Sequence, residues 1–173
     1  DLTCIEALKS AMLGLRQRGE QVAQVGPVYY ETQRRFFPPL ICVEGMLIRR
    51  LPVDQAEALT RVSYMISSGS LVSLDALRAV GGFDEQLFID YVDVEFGLRC
   101  QGLGYSSWVV RDARMNHAIG ESPLTIGRWT LPSHSALRRR YQARNAILLM
   151  RRSGISLTWK LHELARFPVR FLF

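Results

Sequence analysis

The sequence predicts an α/β fold that runs into amphipathic helices at its C-terminal end. Three observations carry this. Strand-like apolar runs such as VAQVGPVYY (22–30) alternate with segments of helical spacing. Clusters of glycine, proline and serine punctuate the chain between them. Charge is also segregated: residues 1–127 hold 12 basic and 15 acidic residues, whereas residues 128–173, which include the last two expected helices, hold ten basic residues and one acid, Glu163.

The elements follow in order. Thr3 and Glu6 have capping-box spacing, and Ile5, Leu8, Met12, Leu13 and Leu15 form a broad apolar stripe, so a helix is expected over 3–18, ended by Gly19. Residues 22–30 read as a strand, with Pro27 marking an edge or an exit. A loop over 31–39 closes with Pro38 and Pro39, and LICVEGMLI (40–48) opens an apolar, β-prone run over 40–49. A strand over 61–66 leads into the small-residue turn Ser67-Ser68-Gly69-Ser70. A short helix over 73–79, the turn GGFDE (81–85) and a helix over about 91–101 come next; Gly102 and Gly104 break the last of these. Short strands are expected at 105–110 and 113–118, a loop over 119–133, and a long helix over 134–152 ending at Gly154. An amphipathic helix over 156–167 is expected to be interrupted by Pro168.

Length and composition set bounds. With 173 residues, 48% of them apolar, the chain has room for one domain with a sizeable core, and it is neither a disordered tail nor a fibre. No apolar run approaches the roughly 20 residues of a membrane span, and no secretory signal is visible. The first residue is Asp1, and the chain is read as a piece of a longer protein. Cys4, Cys42 and Cys100 are odd in number and widely spaced, which fits a reducing compartment and indicates neither a disulfide framework nor a zinc site. Of the 22 basic residues 20 are arginine, the side chain suited to bidentate phosphate contacts, so the basic C-terminal segment suggests an anionic partner.

The richest segment is GGFDEQLFIDYVDVEFGLRCQGLGY (81–105). Asp90, Asp93 and Glu95 crowd the start of the expected helix. On a structural reading Asp90 caps that helix, Asp93 sits in its first turn and Glu95 pairs with Arg99. On a functional reading one of these carboxylates is a general base, kept ionised by the helix start. Asp93, after the apolar pair Tyr91 and Val92, then faces a pocket while Glu95 faces elsewhere. His117 lies at a strand end before Gly120, either as a satisfied structural histidine or as one ligand of a Mg or Mn site built mostly from carboxylates. His134 and His162 read as surface or interface residues.

The series from ISSGS (66–70) through GGFDE, FIDYVDVE (88–95) and ARMNH (113–117) to RRYQARN (139–145) resembles the C-terminal half of inverting family 2 glycosyltransferases. Within them it is most similar to the bacterial dTDP-rhamnosyltransferase branch, over about Val22 to Arg152. The resemblance implies the C-terminal part of a GT-A α/β sandwich. Residues 1–133 would form its acceptor-side, catalytic half and residues 134–173 a basic amphipathic helical segment. It implies that Asp93 deprotonates the acceptor hydroxyl, that Ser68, Gly69 and Asp90 lie on the acceptor side, and that His117 joins a divalent metal, Mg or Mn. The implied donor is a nucleotide sugar such as dTDP-rhamnose, and the implied acceptor a lipid-linked saccharide. Synthesis of bacterial surface polysaccharide, at the cytoplasmic face of the plasma membrane, is the implied setting. The family pattern also requires an upstream nucleotide-binding half ending in D-x-D. This chain does not contain it, and on its own the chain is expected to be inactive.

In the basic segment, Leu137, Tyr141 and Leu148 share a helical stripe and Arg140, Arg144 and Arg151 form a ridge beside it, suited to docking on the catalytic domain with the guanidinium groups gripping phosphate or anionic lipid; the alternative is an ordinary core stripe beside a solvated charged face. Leu157, Leu161, Leu164, Phe167 and Phe171, with Trp159 and Lys160, have the features of a peripheral membrane anchor. No nucleic-acid motif is visible, and a nucleic-acid partner is not expected. A second reading, from another class, is a non-catalytic membrane- or phosphate-binding module whose acidic block only starts a helix.

Overall fold

The computed structural model describes residues 2–118, 124–126, 129–131 and 135–171. The strands are β1 (Val22–Glu31), β2 (Leu40–Glu44), β3 (Leu47–Leu51), β4 (Leu59–Val62), β5 (Leu71–Val72), β6 (Ser106–His117), β7 (Leu124–Ile126) and β8 (Trp129–Leu131). The helices are α1 (Leu2–Gln17), α2 (Leu74–Val80), α3 (Val92–Gly102), α4 (Ala136–Arg151) and α5 (Leu157–Phe171).

A mixed four-stranded sheet in the order β4-β6-β1-β5 forms the centre. β1 and β6 run parallel, with β4 and β5 antiparallel at the two sides. Helices cover both faces. Leu8, Met12 and Leu15 of α1 pack on Val22, Val25, Val110 and Ala113. On the other face Ala76 of α2 and Phe96 and Cys100 of α3 meet Ala23. Each large aliphatic side chain so buried stabilises the fold by roughly 1.5–3 kcal/mol. A further core joins α3 to the basic helices, where Leu98 meets Ala146, Leu149, Ile155 and Trp159. The α/β class stands.

Several boundaries differ from the sequence expectations, for physical reasons. Only Leu8, Met12 and Leu15 of the α1 stripe are buried. Ile5, in the first turn, and Leu13, on the outer side, are exposed. The strand expected at 61–66 ends at Val62, because Ser63 then bonds Ile41 and Tyr64 bridges it, switching the chain from β6 to the β2–β3 hairpin. The two strands expected over 105–118 are one, interrupted by a bulge that sets Pro27 and Val28 against Val110 and Arg114. Pro27 thus sits at an irregularity of an interior strand, beyond the residues that pair with β5. Pro168 does not end α5, which continues to Phe171; in the last turn its missing N–H leaves little of the helix to break. The loop expected over 119–133 lies outside the described residues except for 124–126 and 129–131, which pair as a hairpin.

Gly97 sets how closely α3 approaches the sheet. A Cβ there would lie 2.5 Å from the Ser63 carbonyl oxygen and 2.6 Å from Tyr64 Cβ. Gly97→Ala is therefore expected to lower stability by about 1–3 kcal/mol through overpacking, outweighing the ~1 kcal/mol gain in helix propensity. Thermal or urea unfolding checks this, and a stabilised variant would show that the helix can back away.

Candidate active site

Three segments converge at the end of the sheet: the C-terminal end of β1, the turn after β4, and the start of α3. Asp93, in the first turn of α3, is half-buried and lines a cavity of about 170 Å³ with Pro27, Tyr29, Tyr64, Met65 and Ile66. It is the one carboxylate among the described lining residues. Burial in this apolar surrounding pushes its pKa above the ordinary carboxylate value. Hydrogen bonds from Ser67 hold it back, and the Asp90 charge adds to the rise.

The turn that supplies Ser67 is closed by Ser70, whose N–H donates to Ser67 O at 3.0 Å and whose hydroxyl does so at 2.8 Å. Gly69 has φ of +72°, and a Cβ there would meet Met115 Sδ at 2.7 Å, so both backbone and space require glycine. Ser68 reaches the other way, its hydroxyl 2.9 Å from His117 Nε2. One turn of small residues thus touches Asp93 on one side and His117 on the other. The structure brings together Asp93, Ser68, Gly69 and His117, four of the residues singled out from the sequence.

His117 closes β6 in register with Glu31. Its Nδ1 is buried without a hydrogen-bond partner among the described residues, as suits one metal ligand. Glu31 is fully buried and accepts from the N–H of Arg34 at 2.5 Å and from that of Gln33 at 3.3 Å. Among the described residues no three His, Cys, Asp or Glu side chains form a metal-holding group. The described residues therefore offer one nitrogen donor that fits a metal rather than a complete set. Tyr29, not singled out from the sequence, stands edge-on to the His117 ring with centroids 5.9 Å apart. Burial pushes its pKa up, Arg34 opposes this, and Glu31 and Asp93 add to the rise. It stays a phenol able to donate a hydrogen bond.

Asp90 does not cap α3. Tyr91 holds the N-cap position, in a left-handed conformation and with no side-chain cap bond. Both Asp90 oxygens instead accept from Arg138 of α4, from Nε and Nη2 at 2.9 Å each. The loop before α3 is strained: Phe88, Asp90 and Tyr91 all have positive φ, and a 2.6 Å bond from Ile89 N–H to Leu87 O closes a γ-turn about Phe88. Asn145, fully buried on α4, holds this loop. Its Nδ2 donates to the carbonyls of Leu87, Ile89 and Asp90 at 2.7, 2.9 and 3.1 Å. Asn145 stands four residues from both Tyr141 and Leu149; a polar residue on a helix's inward side was the available signal for it.

Glu95 turns away from the cavity, as expected. It is 1% exposed, accepts from Arg99 at 2.8 and 2.9 Å and from Arg152 at 2.8 Å, and Arg152 also pairs with Asp84. Arg140, Arg144 and Arg151 are exposed on one side of α4. Arg144 is partly committed, donating to Gln86 O at 2.8 Å and lining with Arg140 a cleft beside Phe88 and Tyr141. In α5, Trp159 is 3% exposed and packs edge-on against Tyr91, so it belongs to the core and not to an anchoring face; Phe167 packs against that core as well. Leu157, Leu161 and Leu164 are exposed. No helix among the described residues is long and apolar enough to cross a membrane. His134 lies outside the described residues.

No protein-family model matches the chain, and no solved structure does. A curated protein does. Over 145 residues, 83% of this chain, the sequence is 35% identical to the dTDP-rhamnosyl transferase RfbF of Shigella flexneri. The chain spans about half the length of that relative, 49%, in its C-terminal part. The resemblance to bacterial dTDP-rhamnosyltransferases, read first from the acidic block and the RRYQARN segment, is thus shown along most of this chain.

Proposed function

We propose that the chain is the acceptor-side half of an inverting family 2 glycosyltransferase of GT-A fold, moving rhamnose from dTDP-rhamnose to a saccharide. One observation supports this above the others: Asp93, held by Ser67 at an apolar cavity, shares one turn with Ser68 and His117. In this reading residues 1–133 are the catalytic half and residues 134–173 a basic helical segment against it. The acceptor hydroxyl enters the cavity and gives its proton to Asp93. The freed oxygen attacks the anomeric carbon as the bond to the diphosphate breaks on the opposite side, inverting the configuration. A divalent cation, Mg or Mn, held in part by His117 Nδ1, would supply Lewis-acid neutralisation of the departing diphosphate. Ser68 orients the His117 ring through Nε2, and Tyr29 shields it. Gly69 keeps the turn narrow enough for both contacts.

The acceptor is a lipid-linked saccharide of bacterial surface polysaccharide synthesis. The protein sits peripherally on the cytoplasmic face of the plasma membrane, with Arg140, Arg144 and Arg151 toward its anionic surface. Transfer from dTDP-rhamnose by the full-length protein, assayed with and without Asp93, tests this reading. His117→Ala is expected to raise the Mg or Mn concentration for half-maximal activity by about tenfold or more, the scale of lost metal-site contacts, with little change in unfolding midpoint. An unchanged metal titration with a lower midpoint would make His117 a structural residue of the turn.

A further inference from the structure

Asp93 stands between two other carboxylates of the acidic block, and arginines of the basic segment pair with both. Three residues before it, Asp90 accepts from Arg138 Nε and Nη2 at 2.9 Å each. Two residues after it, Glu95 accepts from Arg152 at 2.8 Å as well as from Arg99 of its own helix, and Arg152 also pairs with Asp84. The side chains of Arg138 and Asp90 are 21% and 18% exposed and that of Glu95 is 1% exposed, so these are not loose surface pairs. Asp93 itself lines the cavity, and among the described residues no arginine or lysine lines it.

The spacing along α4 suits this. Arg138, Asn145 and the C-cap Arg152 follow one another at intervals of seven residues, about two helical turns, so they recur on one side of the helix. In that order they meet the Asp90 carboxylate, then the carbonyls of Leu87, Ile89 and Asp90, then the Asp84 carboxylate. The loop over 84–90 thus runs opposite to α4 and is held at both ends. Its positive-φ residues Phe88 and Asp90, with Tyr91 after them, need such support. Charge needs it too. Three carboxylates within six residues repel one another, and the arginines neutralise the outer two while leaving the charge on Asp93.

We propose that Arg138 and Arg152 are positioning residues of the Asp93 site: by holding the carboxylates on either side of Asp93 they fix the loop over 84–90 and the first turn of α3, and so where the base stands. The inference rests on the reading of Asp93 as the base, and it brings the basic C-terminal segment into the working of the active site. Neither arginine lines the Asp93 cavity; each acts through the carboxylates it grips.

The test uses the full-length protein. Arg138→Gln is expected to lower kcat about tenfold or more under conditions where it is folded, with the KM for the nucleotide sugar within about twofold, because a small displacement of a reacting group has that effect. Arg138→Lys and Arg152→Lys keep the charge without the two-pronged geometry and should each lose less. Arg138→Gln combined with Asp90→Asn leaves neither charge without its partner, so it should regain the unfolding midpoint but not kcat. A second readout needs no sugar transfer. The amides of Leu87, Phe88, Ile89 and Glu95 are hydrogen-bonded within the loop or the first turn of α3. In Arg138→Gln they should exchange with deuterium about tenfold or more faster, while amides late in α3 keep their rates. Unchanged exchange in the loop, kcat values that follow only the folded fraction, or a combined variant that regains kcat would overturn the proposal. Faster loop exchange in a full-length protein that transfers nothing would sink the reading of Asp93 alone. Normal kcat in Arg138→Gln beside an active unsubstituted protein would sink this inference alone.

Discussion

Replacing Asp93 by Asn is expected to lower sugar transfer by about 10²–10⁴-fold, the usual loss for a general base, while nucleotide-sugar affinity changes little. The same substitution should not weaken the fold. Burial raises the Asp93 pKa, so above the ordinary carboxylate range the folded chain holds this proton more tightly than the unfolded chain does. The folded state then binds more protons, and the contribution of this group to stability falls as pH rises through that window. Asparagine removes the penalty and keeps an acceptor for Ser67. The urea midpoint of the variant relative to that of the unsubstituted protein should therefore rise as pH climbs above the ordinary carboxylate range. A clear loss of stability at pH 8 with near-normal turnover would make Asp93 an ordinary helix-start residue.

Replacing Asn145 by Leu, similar in shape but without polar atoms, is expected to cost about 2–4 kcal/mol, because the carbonyls of Leu87, Ile89 and Asp90 lose their shared donor in a buried setting. The loss falls on a loop already carrying three positive-φ residues, and such strain persists only where the surroundings hold it. Since that loop aims the start of α3, kcat should fall further than the stability loss alone accounts for under conditions where the variant is folded. Asn145→Asp gives a sharper reading. One oxygen of its carboxylate keeps the Arg144 donor, but the other faces three carbonyl oxygens that only a protonated carboxyl can bond, so this variant should regain stability as pH falls, whereas Asn145→Leu should not. Parallel unfolding curves for the two variants across pH would show that the amide donors do not hold the loop.

The parts legible in the sequence were those with local signals. The helix near the start of the chain, the short helix over 73–79 with the glycine turn after it, and the Glu95–Arg99 pair follow from spacing within one element, and the structure shows each, although Ile5 and Leu13 of the α1 stripe are exposed. The helix expected over 134–152 is α4, Ala136–Arg151, with Ser135 as its N-cap. What could not be read depends on contacts between distant elements. Asp90 looked like a cap because its position suits one, but Arg138, 48 residues on, outcompetes that local role. The strand at 59–62 was displaced because pairing with β6, not local apolarity, decides where β4 ends. Trp159 looked interfacial from its neighbours in sequence, but Tyr91 and the α3 core bury it. The meeting of Ser68 with His117 spans 49 residues, and it depends on the pairings of β4 with β6, β6 with β1 and β1 with β5, which bring the turn between β4 and β5 to the end of β6.

In the proposed function Asp93 activates an acceptor hydroxyl for inverting transfer. ¹H NMR of the anomeric signal, followed in one tube from dTDP-rhamnose to product with full-length protein, tests it most directly. The new glycosidic bond is expected to have the anomeric configuration opposite to that of the donor. Asp93→Asn, while still binding dTDP-rhamnose, is expected to give no product signal over the time in which the unsubstituted protein completes the reaction. A product with retained configuration, or product formed by Asp93→Asn within about tenfold of the normal rate, would contradict it.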